Sequence, residues 1–318
     1  MQFYVVSKDG RAWLCAEQAG RLVNLQLAYR EALLAGGACA GAAAAARLAE
    51  TLLPPDLRGF IEMGEEGRRA CRQALDFAAS PGASPALQFE RDSVRIEPPL
   101  RTPGKFICIG LNYRAHARES NAAIPSEPVF FNKFATSITG PYDPIVHQGP
   151  KVTAQLDYEV ELAVVIGKRA KNVARAQALE HVFGYTICND VSARDLQHRD
   201  GQWVKGKALD TYAPIGPCVV TREAIDGGNL DLRLAVNQEV RQQSNTSDLI
   251  FSIPELIEYL SHLLTLEPGD VVSTGTPSGV GGAAKPPRFL QVGDTVRAEI
   301  EGIGFIENRI VAHQAGDI

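Results

Sequence analysis

The run QLDYEVELAVVIG places Asp157, Glu159 and Glu161 at i, i+2 and i+4, a spacing that puts three carboxylates on one face of a β-strand. Like charges so spaced repel. Two arrangements relieve them: a water-washed strand face, or a hard divalent cation such as Mg²⁺ that gathers carboxylate and water oxygens octahedrally. The strand continues as the apolar run LAVVIG, so its acidic start should lie at the mouth of a core. Asp190 follows the apolar run GYTIC through Asn189, where a strand gives way to VSARDLQH, a turn of helix. An Asn-Asp pair at such a strand end is either a turn or cap, or a further ligand converging on the same cation.

Two other segments carry chemistry-bearing types. In GLNYRAHARESN, His116 and Glu119 stand three apart in a stretch that permits a short helix, so both point the same way. The pair is either an exposed helical ion pair or a base whose imidazole is oriented and strengthened by the carboxylate. Lys207, in WVKGKALDTYAPIGP, is either a surface lysine or a fixed positive charge at a pocket edge facing a developing oxyanion. TGTPSGVGG, residues 274–282, lacks the Lys-Ser/Thr end of a phosphate-cradling Walker loop and is read as a flexible active-site loop.

These residues need elements to hold them. The runs 106–110, 160–167, 182–188, 230–236, 270–275 and 294–304 are rich in branched residues, several alternate with period two, and turn-forming residues bound them. Ser252 and Glu255 form a capping box ahead of Ile253, Leu256, Ile257, Leu260, Leu263 and Leu264 at helical spacing. Strands outnumber helices without a regular βαβ rhythm, which argues for a mainly β, α+β domain rather than a Rossmann or barrel architecture. The first 95 residues differ: two short strand-like runs, an alanine-rich helical stretch at 38–48 and a second helical stretch at 65–78 form a small α/β domain that reads as a cap or assembly surface. Pro98, Pro99, Pro103 and Gly104 mark a linker at 96–103, and the catalytic domain runs over 104–318.

The 318-residue chain is long enough for one large and one small domain. Its net charge of -5 lacks the basic footprint of a nucleic-acid or anionic-membrane binder, which leaves a small molecule as the expected partner. Six scattered cysteines fit neither a zinc ribbon nor a disulfide framework. The opening MQFYVVSKDGRAWL has no basic region followed by an apolar one, and no stretch approaches a membrane span, so a reduced, cytoplasmic setting is expected.

The segments IGLNYRAHARE, PVFFNK, LDYEVELAVVIG, GYTICNDVSARDLQ, GKALDTYAPIGP, RQQSNTSDLIF and PGDVVSTGTPSGVG occur in an order that resembles the fumarylacetoacetate hydrolase superfamily over residues 102–311. The likeness is strongest to its acylpyruvate hydrolase and 2-hydroxyhepta-2,4-diene-1,7-dioate isomerase branch. The resemblance implies a mixed β-sandwich roll, commonly a homodimer. It implies Glu159, Glu161 and Asp190 as ligands of Mg²⁺ or Mn²⁺, with Asp157 accessory, and His116 with Glu119 as a water-activating dyad on a lid. Lys207 would stabilise an oxyanion, and Gln197 and Thr276 would line the substrate site. Ala115 stands where some members place a fourth ligand, which fits the three-ligand branch. Asn237-Gln238 replaces the usual Asn-Gly of a hairpin, which puts that turn's geometry in doubt.

The activity this implies is metal-dependent hydrolysis of a carbon-carbon bond in a β-diketo acid of acylpyruvate or fumarylpyruvate type. The keto acid is chelated by the cation, His116 activates water, and the leaving carbanion becomes a metal-stabilised enolate. Isomerisation of a 2-hydroxydienoate, or decarboxylation of an oxaloacetate-like acid, is the alternative on the same metal site.

Overall fold

The structure, a computed structural model, describes residues 1–313 and divides the chain into two units, Met1–Leu100 and Arg101–Ile318. In the first unit β1 (Gln2–Lys8), β2 (Arg11–Gln18) and β3 (Arg21–Asn24) form an antiparallel meander. Helices α1 (Leu25–Ala35), α2 (Ala42–Leu52), α3 (Leu57–Glu62) and α4 (Gly64–Ala78) follow, and then β4 (Gln88–Phe89), which pairs with β3. Helix α1 begins where the Asn24 side chain accepts the Leu27 N–H. A fifth strand, β5 (Arg95–Glu97), pairs with β1 inside the stretch expected to be a connector. The proline pair that motivated the connector comes just after it, so the ladder donors of 95–97 are intact.

The second unit carries β6 (Phe106–Gly110), α5 (Arg114–Glu119), β7 (Val129–Asn132), β8 (Ile138–Thr139), β9 (Ile145–His147), β10 (Leu156–Asp157), β11 (Val160–Ile166), β12 (Val182–Asn189) and β13 (Ser192–Ala193). It continues with α6 (Arg194–Gln197), α7 (Val204–Lys207), β14 (Ala213–Thr221), β15 (Asp231–Val236), β16 (Glu239–Asn245), α8 (Ile253–Leu263), β17 (Val271–Ser273), β18 (Thr295–Ile300) and β19 (Gly304–Ala312). Its larger sheet runs β14-β12-β11-β17-β6-β7 and its smaller one β16-β15-β18-β19-β9. Among the described residues only β6–β17, β8–β14 and β9–β19 pair parallel, so the unit is a mixed, mainly β roll with few helices.

Every residue of β11 and β12 is buried, which explains why these strands read as continuous apolar runs rather than alternating ones. Helix α8 starts on the expected capping box, with the Ser252 N–H donating to Glu255 Oε2 at 2.7 Å. Ile253, Leu256, Ile257 and Leu260 go into the core, each stabilising by about 1.5–3 kcal/mol. Leu263, counted in the same apolar stripe, is 57% exposed because the helix ends there. The doubtful hairpin between β15 and β16 closes in two residues, with Asn237 at φ 49 and Gln238 at φ 72. It is the primed turn that strand twist demands, held with a strained non-glycine at its second position.

Candidate active site

Glu159 and Glu161 flank the first residue of β11 and project to one side, as period two requires. The register Val160↔Asn189 and Glu161↔Cys188 brings the end of β12 alongside, and the Asp190 N–H donates to the Glu159 carbonyl at 2.8 Å. One carboxylate oxygen from each of Glu159, Glu161 and Asp190 lies within 4.8 Å of the others, and all three side chains are buried. Asp157 does not join them. It belongs to the separate strand β10 and turns to the backbone N–H groups of Tyr158, Gly281 and Gly282 and to Arg194 Nε, all at 2.8–2.9 Å. A break in the strand at Tyr158 and Glu159 undoes the three-on-one-face spacing.

Three cations are packed against the acids. Lys207 Nζ donates to Glu159 Oε2 at 2.6 Å and to Asp190 Oδ2 at 2.9 Å; Lys133 Nζ sits 2.7 Å from Asp190 Oδ1 and Arg194 Nη2 2.7 Å from Glu159 Oε1. Lys133 also donates to the carbonyls of Val191, Lys207 and Tyr212, which pins the Asp190 turn to the helix that carries Lys207. Burial alone would raise the Glu159 carboxyl, but Lys207 and Arg194 override it and bring it down to about 2. Burial would equally depress the Lys207 ammonium, and Asp190 with Glu159 instead hold it above its ordinary range.

Glu161 is different. Its hydrogen bonds come from neutral donors, Ser273 Oγ at 2.6 Å and Gly275 N at 3.0 Å. Burial, then the charges of Asp190 and Glu159, push its carboxyl well above the usual range. Counting Asp157, four carboxylates face the three cations Lys133, Arg194 and Lys207, and the uncompensated charge falls on Glu161. A buried trio of hard oxygen donors, one of them held only by neutral hydrogen bonds, is the chemistry of a Mg²⁺ or Mn²⁺ site, so Glu159, Glu161 and Asp190 fit the ion that the resemblance implies.

Opposite the acids, helix α5 carries the His-Glu pair, with His116 Nδ1 3.2 Å from Glu119 Oε2. Glu119 is itself held by the N–H of Gly279, 2.9 and 3.1 Å from its two oxygens. Arg114 ties the start of the helix to the carbonyls of Asp248 and Leu249. Upstream, buried Asn112 bridges Phe251 and Thr274 by three hydrogen bonds.

The loop 274–282, expected to be flexible, is pinned. Thr276 Oγ1 donates to the Val160 carbonyl, Tyr158 reaches the Gly279 carbonyl, and Asp157 takes two of the loop's N–H groups. Its glycines are there for close approach: a Cβ would lie 2.0 Å from the Arg241 carbonyl at Gly279, and 2.1 Å from that of Arg288 at Gly281.

A cavity of about 670 Å³ is lined by His116, Glu119, Glu159, Glu161, Asp190, Gln197, Lys207 and Thr276, so the residues singled out in the sequence, Asp157 excepted, border one space. Gln197 accepts from Arg194 Nη1 at 3.0 Å, and Thr276 accepts from Gln242. One wall is apolar: Phe131 and Trp203 meet edge to face at 5.6 Å beside Ile109 and Leu111. Sequence reasoning missed Lys133, Arg194 and Asn112. The first two act through partners far along the chain and leave no local spacing to read. A lysine closing the apolar run VFFNK was the one available signal.

Residues 105–311 match the family described as "Fumarylacetoacetate (FAA) hydrolase C-terminal". The chain is 45% identical over 262 residues to the mitochondrial oxaloacetate tautomerase of Xenopus laevis, covering 81% of this chain and 79% of that one. Among solved structures it resembles the fumarylacetoacetate hydrolase of Exiguobacterium antarcticum, with TM-score 0.76, 34% identity and coverage of 98% and 100%. It also resembles the maleylpyruvate hydrolase of Sphingobium in complex with manganese(II) and pyruvate, with TM-score 0.74, 30% identity and coverage of 99% and 100%.

The compartment expected from the cysteines needs correction. The Xenopus relative is mitochondrial, and six free thiols suit any reducing compartment, so the cytoplasmic assignment does not stand. No helix among the described residues is long and apolar enough to cross a membrane. By the extent of the family match and the identity to these relatives, the chain belongs to the fumarylacetoacetate hydrolase family.

Proposed function

We propose that this protein interconverts the enol and keto forms of an oxaloacetate-type 2-oxo dicarboxylic acid, with Glu159, Glu161 and Asp190 holding Mg²⁺ or Mn²⁺. The observation that carries the reading is a buried trio of carboxylates that borders the same cavity as an imidazole-carboxylate pair. The identity to an oxaloacetate tautomerase supports the choice of substrate. The bound ion would supply Lewis acidity toward the 2-oxo group and a point of attachment for its carboxylate.

The chain's own residues supply the proton transfer. Glu119, fixed by the Gly279 N–H, holds His116 Nδ1 and leaves Nε2 to exchange a proton with carbon 3 of the substrate. The C–H bond breaks as the enol O–H forms, so the conversion consumes no water. A positioned base of this kind contributes about 10²- to 10⁴-fold. Lys207, bound between two of the acids, keeps their charges compatible with an anionic substrate.

Carbon-carbon hydrolysis of a diketo acid is the second reading, favoured by the likeness to the maleylpyruvate hydrolase. Isotopes separate the two. With Mn²⁺ present in D₂O, tautomerisation washes deuterium into carbon 3 of oxaloacetate and leaves the carbon chain whole. Hydrolysis of an acylpyruvate puts ¹⁸O from labelled water into the released acid. Acylpyruvate cleavage without accelerated enol decay would replace the tautomerase reading with the hydrolase one, and turnover of neither would sink both.

A further inference from the structure

The mechanism above leaves Asp157 unused, yet it is fully buried and saturated with hydrogen bonds. Its Oδ1 accepts from Gly281 N at 2.8 Å, and its Oδ2 accepts from Gly282 N at 2.8 Å and from Arg194 Nε at 2.8 Å. Arg194 spends its other nitrogens on Glu159 Oε1 at 2.7 Å and Gln197 Oε1 at 3.0 Å. Two positions up the loop from Gly281, Gly279 N donates to Glu119, which holds His116. One unbroken path therefore runs from an acid of the cation site, through Arg194 and Asp157, into the loop and out to the base. We infer that Asp157 is a positioning residue that couples the two halves of the site, setting where the His116–Glu119 pair stands relative to Glu159.

The chemistry favours a carboxylate in this place. Two N–H groups and a guanidinium converge on it, and charge-assisted bonds are about twice as strong as neutral ones. An asparagine would keep one acceptor and turn the other into a donor aimed at an N–H or at Arg194, leaving a buried polar group unsatisfied. The loop would lose its fixed point, and its glycines, packed hard against the carbonyls of Arg241 and Arg288, offer no second route by which to reseat Glu119.

The inference is tested by hydrogen exchange on the full chain, a readout independent of substrate. In Asp157→Asn, amides of 279–282 should exchange about 10-fold faster or more, and the increase should spread to 114–119 while α8 keeps its protection. Arg194→Lys, which retains the acid and a charge but cannot bridge three partners, should reproduce the spread in weaker form. Faster exchange confined to 279–282, or a uniform rise over the whole chain in both variants, would overturn the coupling and leave Asp157 a local or global structural residue.

A kinetic arm rests on the proposed activity. Asp157→Asn should lower kcat about 10- to 100-fold with little change in KM. Its effect should largely vanish in a Glu119→Gln background, because two residues on one path are not additive. Additive losses would count against the path. If the wild-type protein leaves oxaloacetate untouched, the proposed function fails while the exchange result still stands or falls by itself.

Discussion

The two sides of the cavity are built on different principles. The acids sit at the ends of buried, mutually paired strands and are braced by three cations, with side chains 1–6% exposed at Glu159 and Asp190. The His116–Glu119 pair rides on a six-residue helix, 13% and 24% exposed, and its carboxylate is held from outside the helix by a single backbone N–H. The acidic side is rigid because breaking it would strand buried charge. The basic side has fewer anchors, which under the proposed function would let it admit substrate and then meet it. Ligand holding and proton transfer should therefore be separable by mutation.

The most damaging substitution should be Asp190→Ala. It takes the carboxylate partner from the buried Lys133 ammonium and one of two from Lys207, and unfolding in denaturant should show a loss of about 3–5 kcal/mol along with loss of Mn²⁺ binding. His116→Ala should cost about 1 kcal/mol of stability, the worth of one hydrogen bond. It should nevertheless lower turnover by about 10²- to 10⁴-fold with Mn²⁺ affinity retained. If Mn²⁺ titration showed the two variants equally impaired in binding, the division between the sides would be wrong.

Proton linkage sharpens the contrast within the acids themselves. Glu161, raised by burial and by its acidic neighbours, keeps its proton above the ordinary carboxylate range, and that contribution to stability is lost as pH rises through its folded value. Binding a dication must expel this proton. Mn²⁺ affinity should thus fall as pH falls, and calorimetry in buffers of differing ionisation enthalpy should detect proton release that Glu161→Gln abolishes. Glu159 behaves oppositely: lowered to about 2, its contribution is present above 4.5 and disappears as pH drops toward 2. The smallest effect is expected at the Asn237-Gln238 turn, which lines no part of the cavity. Gln238→Gly, which relieves φ 72, should raise the unfolding free energy by about 1 kcal/mol and leave turnover unchanged.

What the sequence disclosed and what it hid follow one physical line. The strands over 106–110, 160–166 and 182–189 and the capped helix 253–263 were legible because periodicity and caps are local signals. The acids and the His-Glu pair stood out because their spacing is short. Asp157 was misplaced for the same reason: its spacing matched the strand rule, while the break that redirects it is fixed by Gly281 and Gly282 far downstream. Lys133 and Arg194 reveal themselves only through tertiary pairing with Asp190, Asp157 and Glu159. Charge compensation in a core is a property of the fold, and the order of residues along the chain does not encode it nearby.

The antiparallel ladder that sets Val160 across from Asn189 has an effect beyond positioning oxygens. Slipping it by one residue would turn Glu161 to the other surface of the sheet, so only correctly zipped chains would bring the three acids together for a dication. Under the proposed function a bound ion would then reward completed folding, adding about 2.7 kcal/mol when free ion stands at 100 times the dissociation constant. Mineral supply in the surrounding compartment would then govern how long an idle copy resists proteases, a dependence that pulse proteolysis across graded Mn²⁺ would measure.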